Sequence, residues 1–206
     1  TGVYAEGTQT AQALALYLGL VPEGKEQLVA DKLREVVAGN NYFLDFGLLG
    51  SKTVPAMLTK YGYIEDAMKM ITKTEAPSWG YWVETMGYST LPETWTLSPK
   101  FADASLNHVF MGDVSAWMMN QLAGINHDDS APGFRHIRIT PHFVKELDWA
   151  KGEYHSVRGR IASEWKREGD QVMLTVTIPA DCSADIVVGD QTETVSAGTH
   201  TFSYPV

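Results

Sequence analysis

Residues 88–112 read YSTLPETWTLSPKFADASLNHVFMG. Glu93 stands between Pro92 and the pair Thr94-Trp95, and Asn107-His108 follow across a short Ser- and Pro-containing loop. Each of these residue types has a chemistry. A positioned carboxylate takes or gives a proton. A neutral imidazole donates one hydrogen bond and accepts another, so it can hold a hydroxyl group. An indole offers a large apolar face and a polar N–H, and Trp79 and Trp82 lie a few residues upstream. Each type also has a plainer use: Glu93 as an acid flanking a helix, His108 as a satisfied helix histidine, and the three tryptophans as core. Glutamate is too common for its type alone to decide between the two. Trp95, two residues from Glu93, is the tryptophan best placed to stack on a bound ring, and Asn107 is expected to cap or to bond the loop backbone.

The elements that must position these residues fall into two halves. TQTAQALALYLGLVPE puts Ala11, Leu14, Ala15 and Leu18 on one helical stripe that stops at Gly19 and Pro22. PEGKEQLVADKLREVVAG turns Leu28, Leu33, Val36 and Val37 inward, with Pro22 and Glu23 suited to a first turn and Gly39 to a C-cap. Two further helices fit within TVPAMLTKYG and YIEDAMKMITK, separated by Gly62. The set reads as antiparallel helix pairs on short loops. APSWGYWVETMGYSTLPETWTLSPKF carries no helical stripe and reads as a long structured loop, a kind that tends to be functional. ASLNHVFMGDVSAWMMNQLAGI reads as a last helix opened by Asn107-His108, with Leu106, Val109, Phe110, Val114, Trp117, Met118 and Leu122 on a wide apolar face.

Near Pro132 the period changes from helix to strand. FRHIRITP is strand-like, and HSVRGRIASEWKREGDQVMLTVTIP reads as a strand to Lys166, a turn at Glu168-Gly169-Asp170 and a second strand. SADIVVGDQTETVSAGTHTFSY adds two short strands with Gly-Asp and Ala-Gly turns, which predicts an antiparallel β-sandwich over residues 132–206.

Composition excludes several function classes. The 206 residues carry 25 acidic and 16 basic side chains, a formal charge of −9. Nucleic acid and anionic membrane surfaces call for a basic face, so neither is an expected partner. No stretch is long and apolar enough to span a membrane. Hydrophobic residues make up 44%, ordinary for a globular chain, and Cys182 is the single cysteine, so no internal disulfide forms. The opening TGVYAEGTQT has neither an initiating Met nor a leader-like head and reads as a piece of a larger protein. His127-Asp128-Asp129, His136 and His142 are scattered without HExxH or CxxC spacing, so no metal site is expected. No phosphate-binding glycine loop or other cofactor motif is present, and Ser89 and Ser105 lack a nucleophile-elbow setting. Glu75, Glu84 and Asp103 read as exposed acids, and Met111, Met118 and Met119 as core filler.

Several segments, in this order, resemble the C-terminal region of bacterial α-L-rhamnosidases, an inverting family with an (α/α)6 barrel. They are Pro77-Ser78; GYSTLPETW, residues 87–95; Asn107-His108; Leu122-Ala123-Gly124-Ile125; and Pro132-Gly133-Phe134. QTAQALALYLGL and FGLLGSKTVPAMLTKYG resemble earlier barrel helices of the same family. The family motif is Gly-Ala-Thr-Thr-x-Trp-Glu-x-Trp; here Tyr88-Ser89 replace Ala-Thr, and Pro92 replaces the Trp before the glutamate.

The resemblance implies an α+β multidomain chain: the C-terminal part of the barrel over residues 1–131, then an antiparallel β-sandwich over residues 132–206. It implies a glycoside hydrolase that removes terminal α-L-rhamnose from a rhamnose-containing glycan or glycoside. Glu93 matches the general base and His108 a residue that contacts the sugar, with Trp95, Trp82 and Trp79 available for stacking on it. The general acid then lies upstream, in a missing N-terminal barrel segment of the same protein, and this chain alone is expected to be inactive. A bacterial setting follows, with the compartment open between cytoplasmic and periplasmic or secreted. Two other readings stand beside it: a non-catalytic carbohydrate-binding or scaffold module, and another (α/α)-barrel glycosidase or lyase.

Overall fold

Thr8 starts the first helix: its hydroxyl accepts a hydrogen bond from Ala11 N at 3.2 Å and satisfies one of the otherwise unpaired first-turn donors. The protein is seen here as a computed structural model, which describes residues 1–95 and 103–205. Two compact units divide it, Thr1–Ser115 and Ala116–Val206.

The first unit holds helices α1 (Gln9–Tyr17), α2 (Glu26–Gly39), α3 (Leu48–Lys60) and α4 (Ile64–Thr72). α1 packs on α2 and α3, and α3 packs on α4, as the short loops require. The rotation of α1 differs from the expected one. Ala15 is buried as expected, but Gln9, Gln12, Ala13 and Leu16 face inward with it, while Leu18 lies 59% exposed past the helix end. Two buried amides explain this. Gln9 donates to Phe43 O at 3.0 Å and accepts from Asp45 N at 3.1 Å, and Gln12 donates to Gly2 O at 2.8 Å. Hydropathy counts glutamine as a surface residue, but here each side chain pins a loop to the helix. Gln9→Ala is expected to destabilise this unit by about 1–3 kcal/mol, because it removes both bonds that tie the 43–45 loop to the helix and empties a fully buried site. Denaturant unfolding measures it, and a midpoint within error of the wild type would count against that role.

In α2 the inward face is Val29, Ala30, Leu33 and Val37; Leu28, expected inside, is exposed. Gly39 is the last helical residue, and the left-handed positions that turn the chain are Asn41 and Tyr42. The expected final helix is shorter than its apolar pattern suggests. Residues 108–112 form overlapping turns, and α5 runs only over Asp113–Trp117, followed by a π-helical turn over Met118–Leu122. Val114, Trp117 and Leu122 are buried, whereas Leu106, Val109, Phe110 and Met118 are exposed.

The second unit is a six-stranded, mostly antiparallel sheet in the order β1-β2-β5-β4-β3, with β6 also on β5. The strands are β1 (Ile125–His127), β2 (His136–Ile139), β3 (Trp149–Ser156), β4 (Gly159–Glu168), β5 (Gln171–Val188) and β6 (Gln191–Pro205). The turn at Gly169-Asp170 closes the β4–β5 hairpin where the sequence places it. A second turn, Val157-Arg158, splits the segment read as one strand into β3 and β4. β5 and β6 are long strands rather than the short ones expected, and Ala197-Gly198 lies inside β6 instead of forming a turn. An irregularity between Ile178 and Ser183 lets the first half of β5 pair with β4 and the second half with β2. The β2–β5 pairing is parallel, a departure from the antiparallel expectation. Side chains brace it: His136 meets Ser183 Oγ at 2.7 Å and Asp185 Oδ2 at 3.0 Å. The Thr194 hydroxyl donates to Asp185 Oδ1, and this bond, then the one to His136, holds the Asp185 carboxyl below the usual range.

Ile137, Ile139, Ile161, Trp165, Leu174 and Ile186 form the core of this unit. Trp165 donates from Nε1 to Leu122 O at 2.7 Å, so its single polar atom is satisfied on burial. Gly124 has φ +79, and a Cβ there would stand 2.3 Å from Pro141 N, so only glycine fits.

His142 is held below its ordinary 6.5 by burial, which a backbone bond to Gln121 O only partly offsets. The folded unit therefore binds fewer protons than the unfolded chain around that pH. Its stability is complete above pH 6.5 and falls as the medium is acidified below it. Unfolding midpoints taken from pH 8 to pH 5 are expected to decline more steeply for the wild type than for His142→Gln. Parallel profiles would contradict the burial effect.

Candidate active site

Ser78, fully buried, anchors the segment that leads to the site. Its hydroxyl donates to Glu75 O at 2.9 Å and accepts from Tyr81 N at 2.9 Å, which caps a short helical segment. That segment tightens into a π-helical turn over Tyr81–Thr85 and ends before Gly87, at φ +65. A Cβ at Gly80 would stand 2.5 Å from Lys73 O, so this residue lets the segment lie against the end of α4. Trp79 and Trp82, three residues apart, share one face of it.

Both tryptophans are buried, Trp79 at 3% and Trp82 at 1% exposure. Trp79 donates from Nε1 to Met111 O at 2.9 Å. Trp82 stacks on Trp95 with centroids 4.4 Å apart and planes at 22°. Trp79 meets Trp95 edge-on at 5.2 Å, and Phe46 closes the cluster at 5.9 Å from both Trp79 and Trp95. Trp95 also donates from Nε1 to Phe46 O and is itself half-buried. Of the three expected stacking residues, Trp95 is half-buried, whereas Trp79 and Trp82 are enclosed against it. Such ring pairs add about 0.5–1.5 kcal/mol each beyond their burial.

Glu93 is half-buried and paired with a segment twelve residues on. Its N–H donates to Ser105 O at 2.8 Å, and Ser105 N–H donates to Glu93 Oε2 at 3.1 Å. His108 N–H donates to Leu91 O at 2.8 Å, and the Thr90 hydroxyl donates to Leu106 O at 2.7 Å. Segments 90–93 and 105–108 therefore lie side by side, and they bring Glu93 and His108 into one neighbourhood. The His108 ring accepts from Phe110 N at Nδ1, 3.3 Å away. A neutral imidazole bonded this way carries its proton on Nε2, where it can donate to a hydroxyl group. Asn107 contributes its backbone, which pairs with the Ser105 hydroxyl, and no helix opens at this pair. Gly87, Tyr88, Ser89, Thr90, Pro92 and Leu106 line a cleft of about 220 Å³ beside these segments. It contains Tyr88, Ser89 and Pro92, the positions that depart from the family motif.

Two participants lie outside the residues that sequence singled out for the site. Phe46 enters through its ring and its carbonyl, from a loop far upstream in sequence. Ser105 enters through its backbone at Glu93. The Ser-x-Asn spacing, typical of a side-chain turn, is a local signal that could have marked Ser105.

A unit of paired helices followed by a β-sheet unit, with a carboxylate held beside an aromatic cluster in the first, is the arrangement that the family of this chain shares. The chain belongs to the bacterial α-L-rhamnosidase family: residues 1–122 match the bacterial alpha-L-rhamnosidase 6 hairpin glycosidase domain, and residues 124–203 match the bacterial alpha-L-rhamnosidase C-terminal domain. An alpha-L-rhamnosidase of Streptomyces avermitilis is 28% identical over 185 residues, covering 87% of this chain and 18% of that protein. One from Formosa agariphila is 27% identical over 206 residues, covering 95% of this chain and 22% of that protein. Among solved structures, α-L-rhamnosidase from Aspergillus terreus superposes with a TM-score of 0.91 at 28% identity, over 98% of this chain and 24% of that one. The Streptomyces avermitilis enzyme complexed with L-rhamnose gives 0.88 at 25% identity, over 98% of this chain and 22% of that one. The chain thus spans about a fifth of the length of the curated relatives it matches.

Proposed function

We propose that this chain is the C-terminal portion of a glycoside hydrolase that removes terminal α-L-rhamnose from glycans or glycosides with inversion. Glu93 serves as the general base. The observation that supports this most is the carboxylate of Glu93, held by Ser105 N–H and set by backbone pairing beside a histidine whose Nε2 can donate. The Streptomyces avermitilis relative, crystallised with L-rhamnose, supports the choice of sugar.

Inversion needs two carboxyl groups on opposite faces of the sugar, roughly 6.5–9.5 Å apart, so that a water fits between one of them and the anomeric carbon. Glu93 removes a proton from that water as it attacks. His108 Nε2 donates to a sugar hydroxyl, and the half-buried Trp95 packs on the C–H face of the ring. Trp82 and Trp79 hold Trp95 in place. The acid that protonates the leaving oxygen comes from the part of the full-length protein outside these 206 residues. The test is an aryl α-L-rhamnoside given to the full-length protein, with the released sugar followed by NMR. Release of β-L-rhamnose as the first product is expected, together with no turnover by the 206-residue chain alone. First release of the α-anomer, turnover by the short chain, or binding of rhamnosides without hydrolysis would each overturn the reading, the last in favour of a binding module.

A further inference from the structure

We infer that Ser105 and Thr90 are positioning residues, whose two hydroxyls lock the loop that carries His108 onto the segment that carries Glu93. The inference rests on Glu93 being the base and goes beyond that role to the groups that aim it. Neither hydroxyl touches the carboxylate. Both act on the chain that does.

The Ser105 hydroxyl closes a turn, accepting from Asn107 N at 3.2 Å and donating to Asn107 O at 3.1 Å. This sets the direction of residue 105, whose N–H and C=O both bond Glu93. The Thr90 hydroxyl reaches across to Leu106 O at 2.7 Å, between the Ser105–Glu93 and His108–Leu91 bonds. Leu106 is 58% exposed, so apolar burial does little to hold that residue in place. With both hydroxyls removed, the 105–108 segment keeps its backbone pairing but loses the side-chain bonds that fix its register and turn. The Glu93 carboxylate and the His108 ring are then free to shift relative to each other. Displacement of a catalytic group by about 1 Å can cost about a hundredfold in rate.

The experiment uses the full-length protein with Ser105→Ala, Thr90→Val and their double variant, beside the conservative Ser105→Thr and Thr90→Ser. Kinetics on an aryl α-L-rhamnoside and thermal unfolding are measured for each. The double variant is expected to lose about tenfold or more in kcat and to gain in KM, since base and sugar contact move together. The conservative variants, which keep each hydroxyl, are expected to restore both parameters. Unchanged kcat and KM in the double variant, with Glu93→Gln inactive, would overturn the positioning role alone. A loss that the conservative variants fail to recover would overturn it as well, since packing would then be the cause. Activity surviving in Glu93→Gln would overturn the role of the base, and this inference with it.

Discussion

Glu93→Gln in the full-length protein is expected to lower kcat on an aryl α-L-rhamnoside by about a hundred- to ten-thousandfold, the usual contribution of a positioned acid or base. The substitution isolates the chemistry from the architecture. A glutamine has the same shape, and its amide oxygen still accepts from Ser105 N–H, the bond that the carboxylate makes at 3.1 Å. The backbone pairing of residue 93 to Ser105 O is untouched. What disappears is the carboxylate's capacity to accept a proton, the role proposed for this residue. Folding and KM should therefore stay close to those of the wild type while kcat collapses. Glu93→Ala offers a second readout. It opens room for a small anion that needs no deprotonation, so added azide should restore turnover and give the β-configured rhamnosyl azide. Wild-type kcat in Glu93→Gln would return this residue to a structural role.

Trp82→Ala carries the second large effect. The side chain is 1% exposed and covers one face of Trp95 at 4.4 Å. Deleting a buried Trp side chain costs about 3–5 kcal/mol, against a total stability of about 5–15 kcal/mol for a domain. A fall in melting temperature is expected, together with a rise in KM, because Trp95 loses the ring that supports it. Trp82→Phe should recover most of both. The stacked indoles also couple electronically, so the variant should lose part of the aromatic circular dichroism. An unchanged melting temperature would contradict the burial. A lowered one with unchanged KM would remove Trp95 from substrate contact.

The candidate site was proposed from sequence on signals that are all local. Glu93, Trp95 and His108 stand in a motif order that a single chain displays, and the structure adds how Ser105 and Leu91 bring them together. Trp79 and Trp82 show the limit. Their type suits sugar stacking and core equally, and only the cap at Ser78 and the position of Trp95 send them inward. The last helix shows it as well. Leu106, Val109 and Phe110 extend its apolar pattern, yet turns over residues 108–112 delay the helix to Asp113 and leave those side chains exposed.

The sequence by itself determined the order of helices then strands, the β4–β5 turn at Gly169-Asp170 and the family to which the chain belongs. These rest on periodicity, turn chemistry and short motifs, all written within a few residues. The tertiary structure alone decided that Gln9 and Gln12 face the core, that β2 runs parallel to β5, and that Ser105 grips Glu93. The physical reason is the same in each case. A buried polar group or a distant backbone pairing is stabilised by a partner far along the chain, and hydropathy along the chain carries no trace of that partner until the fold brings the two together.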